Sequence, residues 1–272
     1  MEFTFTLLVM SSIRQQTSQP KSLFGPILPE KIAPSATFSP LYQQIKVLLL
    51  GSLQSGEWQP GAPIPSEIEL AARYEVSQGT VRKAIDELAT ENLLIRHQGK
   101  GTFVASHHSE AWQYRFFSLM PDSGKKAALK SHFLCCNQLK APVKIAAALK
   151  IAKSESVIQI DRVQSVAGEV TVFEQIWLPQ QRFSGMTLER LESWPGPLYA
   201  FYESEFATHM VRAEEKIKAI AADSLSARHL HLEPGAPLLL VERISYTYGN
   251  KPVEIRRAQY NTQEQHYENK LN

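Results

Sequence analysis

The sequence has 272 residues, which predicts about two domains at the usual ~100–200 residues per domain. With 43% hydrophobic and 21% charged residues, it has the composition of an ordinary soluble globular protein. The net charge of +2 excludes the strongly basic class of protein, in which bulk charge attracts nucleic acid.

Residues 1–37 are expected to form a flexible tail. The beginning, MEFTFTLLVM, has an apolar run but no basic region before it and no small-residue cleavage site after it. The run is far shorter than the ~20 apolar residues of a membrane span, so we expect no membrane partner. Residues 11–37 are rich in Ser, Gln and Pro, and the tail could also reflect an upstream start codon.

Residues 38–106 have the pattern of three helices followed by a hairpin. Pro40 can occupy the first position of a helix, and Gly56 can end that helix. Ser66 and Glu69 form the S-x-x-E capping box of a second helix. A helix, a short helix, a tight turn and a further helix make the skeleton of a helix-turn-helix domain.

The stretch SQGTVRKAIDELATEN, which begins at Ser77, is interpreted as a recognition helix that enters the major groove of DNA. Val81, Ile85 and Leu88 form one apolar stripe along it. The Ser77 hydroxyl can cap its N-terminus, and the face opposite the stripe begins with polar side chains. An ordinary amphipathic surface helix would show the same stripe, so the flanking segments decide between the two interpretations.

The segment LLIRHQGKGTFVAS predicts two short strands joined by a glycine-rich hairpin. Its tip carries Lys100, which can lie against a phosphate backbone or in the minor groove. Residues 38–105 contain six basic and seven acidic side chains, so a DNA-binding surface must depend on the placement of charges. Together, the helices and the hairpin predict a winged helix-turn-helix.

The run PLYQQI…PGAPIPSEIELAARYEVSQGTVRKAIDELATENLLIRHQGKGTFV resembles the DNA-binding domain of the GntR family of bacterial transcriptional regulators. The resemblance covers residues 40–104, and the motifs occur in order at the family's spacing. The family often has Arg after Val-Ser, whereas this chain has Gln78, which can contact adenine bidentately. The operator is therefore expected to differ from the commonest family half-site, unless Gln78 contributes little.

The resemblance implies DNA contacts from the recognition helix, from the wing and from the start of the preceding helix, where free N–H groups suit a phosphate. Arg82 and Lys83 could instead be solvated surface charges, and the sequence does not separate wing contact from structural support for Arg96 and His97. The implied DNA-binding residues are Ser66, Glu67, Gln78, Thr80, Arg82, Lys83, Gln98, Gly99 and Lys100.

After a junction at residues 107–125, residues 126–268 predict an α+β domain built on antiparallel hairpins. The turn signals Ala167-Gly168 and Gly249-Asn250 each join two strands. The predicted strands are SHFLCCNQL, SVIQIDRVQS, EVTVFEQIWLP, HMVRAEEKIKAIAA, PLLLVERISYTY and KPVEIRRAQYN, and short helices are predicted in APVKIAAALK, after Pro195 and in SLSARHLHL.

The second domain lacks the motifs of common enzymes, with no P-loop, no dinucleotide-binding glycines, no H-E-x-x-H and no nucleophile elbow. Cys135 and Cys136 are adjacent, which makes them poor disulfide partners, and they lack metal-site spacing. His107 and His108 would form a metal pair only if two more ligands converged, and none is suggested nearby. We therefore expect no enzymatic activity, no cofactor and no metal.

Charged and aromatic side chains at inward positions of the predicted sheet are candidates for a ligand site. Glu254, Arg256 and Tyr260 share one face of their strand. That face is either exposed to solvent or lines a pocket, and a surface cross-strand ion pair would look the same in the sequence.

VIQIDRVQSVAGEVTVFEQIWLP and EPGAPLLLVERISYTYGNKPVEIRRAQY resemble the effector-binding UTRA domain of the HutC-type subfamily, over about residues 112–265. The resemblance implies a chorismate-lyase-like fold that binds a small molecule between its sheet and its loops. Relatives with anionic ligands often carry R-x-R, whereas Arg162 is followed by Gln164, which argues against a phosphate-bearing effector. The candidate effector-binding residues are Ser118, Arg162, Glu174, Arg243, Glu254 and Tyr260.

Together these patterns predict a cytoplasmic, ligand-responsive transcriptional regulator, nucleoid-associated when bound to DNA and most simply a repressor. It is expected to bind a pseudo-palindromic operator as a homodimer, because one winged domain makes too few base contacts for high specificity. Two alternatives stay open. One is a DNA-binding protein whose second domain only dimerises, and the other is a lyase-like enzyme with a DNA-binding appendage.

Overall fold

The computed structural model describes residues 39–108, 119–124, 129–166 and 168–268. The predicted tail at residues 1–37, Ser118 and Ala167 lie outside these ranges. The described chain begins with three helices and a two-stranded hairpin and continues into an α+β domain with a six-stranded sheet. Among the described residues, none of the helices has both the length and the apolar character needed to cross a membrane.

The first domain forms the elements that the sequence predicts, and its helix ends have the expected caps. Pro40 lies one residue before the first helix, and Gly56 ends that helix with a φ of 75°, a left-handed conformation that glycine adopts readily. The Ser66–Glu69 capping box is confirmed. The elements are α1 (Leu41–Ser55), α2 (Glu67–Arg73), α3 (Gln78–Thr90), β1 (Leu94–His97) and β2 (Gly101–Val104).

The predicted apolar stripe of α3 forms the centre of the first domain's core. Val81, Ile85 and Leu88 are each no more than 1% exposed and pack with Leu49 of α1 and Leu70 of α2. The antiparallel hairpin β1–β2 follows, as predicted. Because its apolar stripe faces inward, α3 leaves its opposite face to solvent.

The second domain is an antiparallel sheet with the strand order β4-β5-β6-β9-β8-β7. The predicted hairpins β5–β6 and β8–β9 are confirmed. The elements are β3 (Leu119–Pro121), β4 (Leu129–Lys140), α4 (Val143–Leu149), β5 (Ser156–Val166), β6 (Glu169–Pro179), α5 (Leu188–Ser193), α6 (Leu198–Phe206), β7 (Arg212–Ala221), α7 (Ser224–Leu230), β8 (Pro237–Thr247), a 3₁₀ turn (Tyr248–Asn250), β9 (Lys251–Tyr260) and β10 (Gln265–Tyr267).

One face of the sheet combines two apolar clusters with a polar region between them. At one end, Ile160 and Ile176 pack with Phe201 of α6. At the other, Val172 and Tyr260 pack with the short strand β3, which pairs with β10. The strand register places the polar residues of β5, β6, β8 and β9 on this same face, between the clusters.

Candidate nucleic-acid interface and ligand cavity

The N-terminal turn of α3 is held in place by its capping residue. The Ser77 hydroxyl accepts a hydrogen bond from the Thr80 N–H at 3.2 Å, and the two hydroxyl oxygens lie 2.9 Å apart. Gln78, the first residue of the helix, and Arg82, about one turn later, are exposed. The start of the helix is therefore fixed by its cap and presents two polar side chains to solvent.

Glu67, at the start of α2, joins three elements of the first domain. Its Oε2 accepts hydrogen bonds from Gln78 Nε2 at 3.1 Å and from Arg82 Nε at 2.9 Å. Its Oε1 accepts one from Arg96 on β1 at 2.9 Å. Burial would raise the pKa of the Glu67 carboxyl, but the hydrogen bonds from Arg82 and Arg96 lower it.

The structure thus brings together three of the implied DNA-binding residues, Glu67, Gln78 and Arg82. It also gives Arg96 a defined position, because the guanidinium bridges Glu67 and Asp86, the latter at 2.7 Å. The sequence left the role of Arg96 open between wing contact and structural support. Its two carboxylate partners indicate support for the α2–α3–β1 arrangement.

The other implied DNA contacts lie on either side of this group. Both polar groups of Ser66 serve the capping box, since its N–H donates to Glu69 Oε2 at 2.7 Å and its hydroxyl accepts from the Glu69 N–H at 3.3 Å. Lys83 lies over the ring of Tyr42, with Nζ 3.9 Å from the centroid. Gln98, Gly99 and Lys100 form the exposed tip of the wing.

A cavity of about 920 Å³ opens on the polar face of the sheet. Its floor is formed by arginine and glutamate side chains from the central strands, and its walls by β4, by the loop before α6 and by the first turn of α6. This volume lies within the range of small-molecule sites in proteins. The polar lining includes Ser131, His132, Arg162, Gln164, Glu174, Arg243 and Arg256, and the aromatic lining includes Phe133, Trp194, Tyr199 and Phe201.

The charged groups of the floor form a buried network. Glu174 accepts a hydrogen bond from Arg162 Nε at 2.6 Å and lies 3.5 Å from Arg256 Nη1. Arg256 also donates to Glu254, through Nη2 at 3.0 Å and Nε at 3.1 Å. Burial would raise the pKa of Glu174, but attraction to Arg162 and Arg256 outweighs it and lowers the pKa to about 2.

Two of the arginines stand directly opposite each other on neighbouring strands. Arg243 on β8 is the register partner of Arg256 on β9, and both are buried. Like charges at directly opposed positions destabilise a sheet, and carboxylates offset the cost here. One of them is Glu215, which accepts from Arg243 Nε at 2.6 Å. A pair of like charges at opposed sheet positions is locally unfavourable, and such unfavourable arrangements are typical of functional sites.

Tyr199, on the first turn of α6, connects this helix to the floor of the cavity. Its hydroxyl donates to Glu254 Oε1 at 2.8 Å and lies 3.0 Å from Ser245 Oγ. The Arg256 guanidinium carbon lies 5.2 Å from the centroid of the ring. Tyr199 could not be identified from the sequence, because Ser245 and Glu254, which it contacts in the sheet, lie 46 and 55 residues further along the chain.

The predicted effector-binding residues do not all lie in the cavity. Arg162, Glu174 and Arg243 line the cavity. Glu254 is not part of the cavity lining but is the ion-pair partner of Arg256, which is. Tyr260 packs into the apolar cluster on β3, and Ser118 lies outside the described residues.

The sequence suggests no further ligand near His107, but the fold brings two residues with ligand-type donor atoms next to it. Nδ1 of His107 lies 2.8 Å from Glu203 Oε2, and Nδ1 of His209 lies 2.6 Å from the same oxygen. All three residues are buried. The sequence missed this group because Glu203 follows His107 by 96 residues, and only the fold brings α6 against the segment after β2.

Comparison with protein-family models assigns each domain separately. Residues 41–104 match the gntR family of bacterial regulatory proteins, and residues 124–266 match the UTRA domain. The two matches correspond to the winged helix-turn-helix and to the domain with the six-stranded sheet.

Individual relatives extend over both domains. A protein assigned as the fructoselysine utilization operon transcriptional repressor of Escherichia coli O157:H7 is 30% identical over 218 residues, which cover 79% of this chain and 88% of the relative. The transcriptional repressor NagR of Bacillus subtilis is 28% identical over 222 residues, covering 81% of this chain and 90% of the relative.

A solved structure matches the second domain. It is the ligand-binding domain of a candidate GntR-family transcriptional regulator from Bordetella bronchiseptica, which aligns with a TM-score of 0.57 and 47% identity. The alignment covers 58% of this chain and 99% of that structure.

Proposed function

This chain belongs to the GntR family of bacterial regulatory proteins and carries a UTRA domain, and from that premise we propose that it is a repressor released from its operator by an anionic small molecule. The ligand enters the 920 Å³ cavity and pairs with the buried arginines of its floor. Arg243 and Arg256, opposed across β8 and β9, are the observation that carries this proposal.

Sequence-specific DNA binding is assigned to α3 and the wing. Gln78 and Arg82 are exposed at the N-terminus of α3, the part of a recognition helix that reaches base edges in the major groove. Glu67 limits the rotation of both side chains before DNA binds. Lys100, on the tip of the wing, supplies a contact to the phosphate backbone.

The protein is proposed to bind DNA as a cytoplasmic homodimer, through residues 38–106 of each chain. Residues 126–268 would supply the dimer contact as well as the ligand site. A twofold dimer reads two half-sites, which doubles the number of base contacts available for specificity.

The chemistry of the cavity favours a polar ligand with one anionic group. Arg162, Arg243 and Arg256 come from three strands, so their guanidiniums can surround an anion that a single R-x-R pair would contact from one side. A carboxylate and a phosphate both satisfy this arrangement. The aromatic side chains of Trp194 and Tyr199 suit an apolar or sugar-ring surface. The name of one relative refers to the utilization of fructoselysine, which is also a polar compound.

We propose no catalytic role for the cavity. Against the effect of burial, Arg162 and Arg256 lower the pKa of Glu174, which makes this carboxyl unsuited to general acid catalysis. Glu254 is engaged in hydrogen bonds with Arg256. The purified protein should therefore form no product when it is incubated with chorismate, the substrate of the lyase whose fold it resembles.

Ligand binding can be tested by a thermal-shift screen of sugar phosphates, carboxylates and their neutral analogues. A true ligand raises the melting temperature by mass action. Hits are then titrated by calorimetry into the wild type, into Arg243→Met and into Glu192→Gln, a control at the exposed rim of the cavity. Finally, each hit is added to the complex of the protein with its operator.

The proposal expects anionic hits that bind the wild type and the control, lose at least tenfold affinity in Arg243→Met, and release the DNA. Neutral analogues that bind as tightly as the anionic compounds would contradict the proposed ligand class. Hits that bind Arg243→Met as well as the wild type would contradict the assignment of the cavity.

A further inference from the structure

We propose that His107, Glu203 and His209 form a binding site for one divalent metal ion of the zinc class. The inference goes beyond the function proposed above, because neither DNA binding nor the anion cavity requires a metal. The three residues converge from three parts of the chain: the segment after β2, helix α6, and the segment between α6 and β7. Their donor atoms all lie within 4.8 Å of one another.

The hydrogen bond from the His107 ring to Met210 gives the first argument for a metal site. Its Nε2 lies 3.0 Å from the carbonyl oxygen of Met210, which can only accept, so Nε2 carries the hydrogen. In a neutral ring Nδ1 is then a lone pair, yet it faces the Glu203 carboxylate at 2.8 Å. A cation bound by both His107 Nδ1 and Glu203 Oε2 would remove the repulsion between their lone pairs.

The surroundings of the three ligands give the second argument. Ligating histidines in metal sites usually donate their other N–H to a carbonyl or carboxylate, as His107 does to Met210. The second oxygen of Glu203 accepts from Ser106 Oγ at 2.6 Å, which fixes the carboxylate. The ligand side chains are only 2–4% exposed, so water competes little for the ion.

The ligand types select the metal. Two imidazole nitrogens and one carboxylate favour Zn²⁺ and similar transition metals over Mg²⁺ and Ca²⁺, which prefer oxygen. Tetrahedral zinc with bonds of about 2.0–2.1 Å needs ligand atoms about 3.3 Å apart. The present separations of 2.8 and 2.6 Å require shifts of less than about 1 Å. His107 also lines the ligand cavity, which provides a path for the ion.

The position of the site indicates what the metal would do. It would tie the chain leaving the wing to α6, whose first turn carries the cavity residue Tyr199. The ring of His209 stacks on Tyr248, at 5.5 Å between centroids, and Tyr248 packs against the core of the first domain. An ion at this junction would therefore rigidify the connection between the DNA-binding and ligand-binding domains.

The test uses tag-free, full-length protein that has been treated with chelator and dialysed. Co²⁺ is titrated first, because its visible absorption reports coordination, and Zn²⁺ is then added in competition. The variants are His209→Gln and Glu203→Gln. His108→Gln is the matched control, since His108 is the adjacent histidine, is exposed, and bonds to Ser204 Oγ rather than to Glu203.

The proposal expects one Co²⁺ per chain in the wild type and in His108→Gln, displaced by Zn²⁺, and at least a tenfold loss of affinity in both ligand variants. Zn²⁺ should also raise the Tm of the wild type, a measurement that needs no variant to fold. Absence of stoichiometric Co²⁺ binding to the wild type would overturn the proposal. So would equal binding by His209→Gln and His108→Gln, because the cluster would then be a hydrogen-bonded histidine–carboxylate group only.

Discussion

At the scale of single residues, Glu67 illustrates how a negative charge can belong to the proposed DNA-binding surface. Its carboxylate accepts hydrogen bonds from Gln78, Arg82 and Arg96, which come from two elements. The acid would repel phosphates if it were exposed, but its side chain is only 14% exposed and its charge is shared among these donors. It therefore orders the side chains that are proposed to reach the bases.

Replacement of this carboxylate should reduce specificity rather than simply strengthen binding. In Glu67→Gln, Arg82 loses its partner, so we expect operator affinity to fall while affinity for random DNA rises, with a loss of about tenfold in their ratio, or ~1.4 kcal/mol. Fluorescence anisotropy with both duplexes measures this. Glu57→Gln, which removes an exposed carboxylate paired with Arg73, should leave the ratio unchanged; equal effects of the two variants would contradict the role of Glu67.

Glu174 sets a pH dependence of stability. Its pKa falls from 4.5 to about 2 on folding, so its contribution is complete above 4.5 and is lost as the pH decreases towards 2. At pH 7, Glu174→Gln should lower the free energy of unfolding by ~3–5 kcal/mol, because Arg162 is left without its buried partner. The difference from wild type should shrink below pH 4.5.

Urea unfolding at a series of pH values measures this difference directly. Glu192→Gln, at an exposed position of the same cavity, should match the wild type throughout. A gap between Glu174→Gln and wild type that stays constant down to the acid limit would contradict the assigned ionisation.

The cavity residues could be predicted from the sequence only where a polar residue interrupts the apolar pattern of a single strand. Arg162, Glu174 and Arg243 are polar residues on apolar strands, and they do line the cavity. Tyr260 follows the same alternation but lies at the apolar end of the sheet face, a distinction that depends on the packing of β3. Glu203 belongs to a helix whose partners are set entirely by the tertiary fold.

At the scale of elements, capping and periodicity account for what was predicted correctly. The turn chemistry of Gly56, Ser66 and Ser77 defined the helices of the first domain, and alternation defined β4 to β9. Helix α5 was missed because its six residues complete fewer than two turns, too few for a periodic pattern. Strand β3 has three residues and forms through its pairing with β10, which the local sequence does not encode.

The cap of α3 should matter for both stability and DNA binding. Ser77→Ala removes the acceptor for the Thr80 N–H, so we expect a loss of ~1 kcal/mol in the free energy of unfolding and weaker operator binding as the first turn frays. Ser77→Asp, which restores an acceptor, should recover the stability. Chemical denaturation distinguishes the variants; a Ser77→Ala protein as stable as the wild type would contradict the capping role.

At the scale of the whole molecule, the structure links a DNA-binding domain to a ligand cavity through a short polar junction. Ser106 and His107, just after the wing, bond to Glu203 on α6, the helix whose first turn lines the cavity. A ligand can alter DNA affinity only through different affinities for two arrangements of this junction. Operator release should accordingly weaken when the Ser106–Glu203 bond is removed.

Ser106→Ala tests this coupling. We expect DNA affinity and ligand affinity, each measured alone, to stay within about threefold of wild type, while the factor by which ligand weakens DNA binding falls. Anisotropy titrations with and without a saturating ligand give that factor. If the ligand weakens DNA binding by the same factor in Ser106→Ala as in the wild type, the Ser106–Glu203 bond does not couple the two sites.

The central claim is that α3 and the wing recognise a specific operator sequence. Selection from a pool of random-sequence duplexes tests this claim most directly. The selected duplex is then titrated with the protein at two salt concentrations. The account predicts that the wild type enriches a twofold-symmetric sequence and that Arg82→Ala abolishes the enrichment. Lys100→Ala should weaken binding to all sequences and reduce the salt slope by about one. Enrichment of the same sequence by Arg82→Ala, or binding by the wild type without sequence preference, would contradict the assignment of the recognition helix.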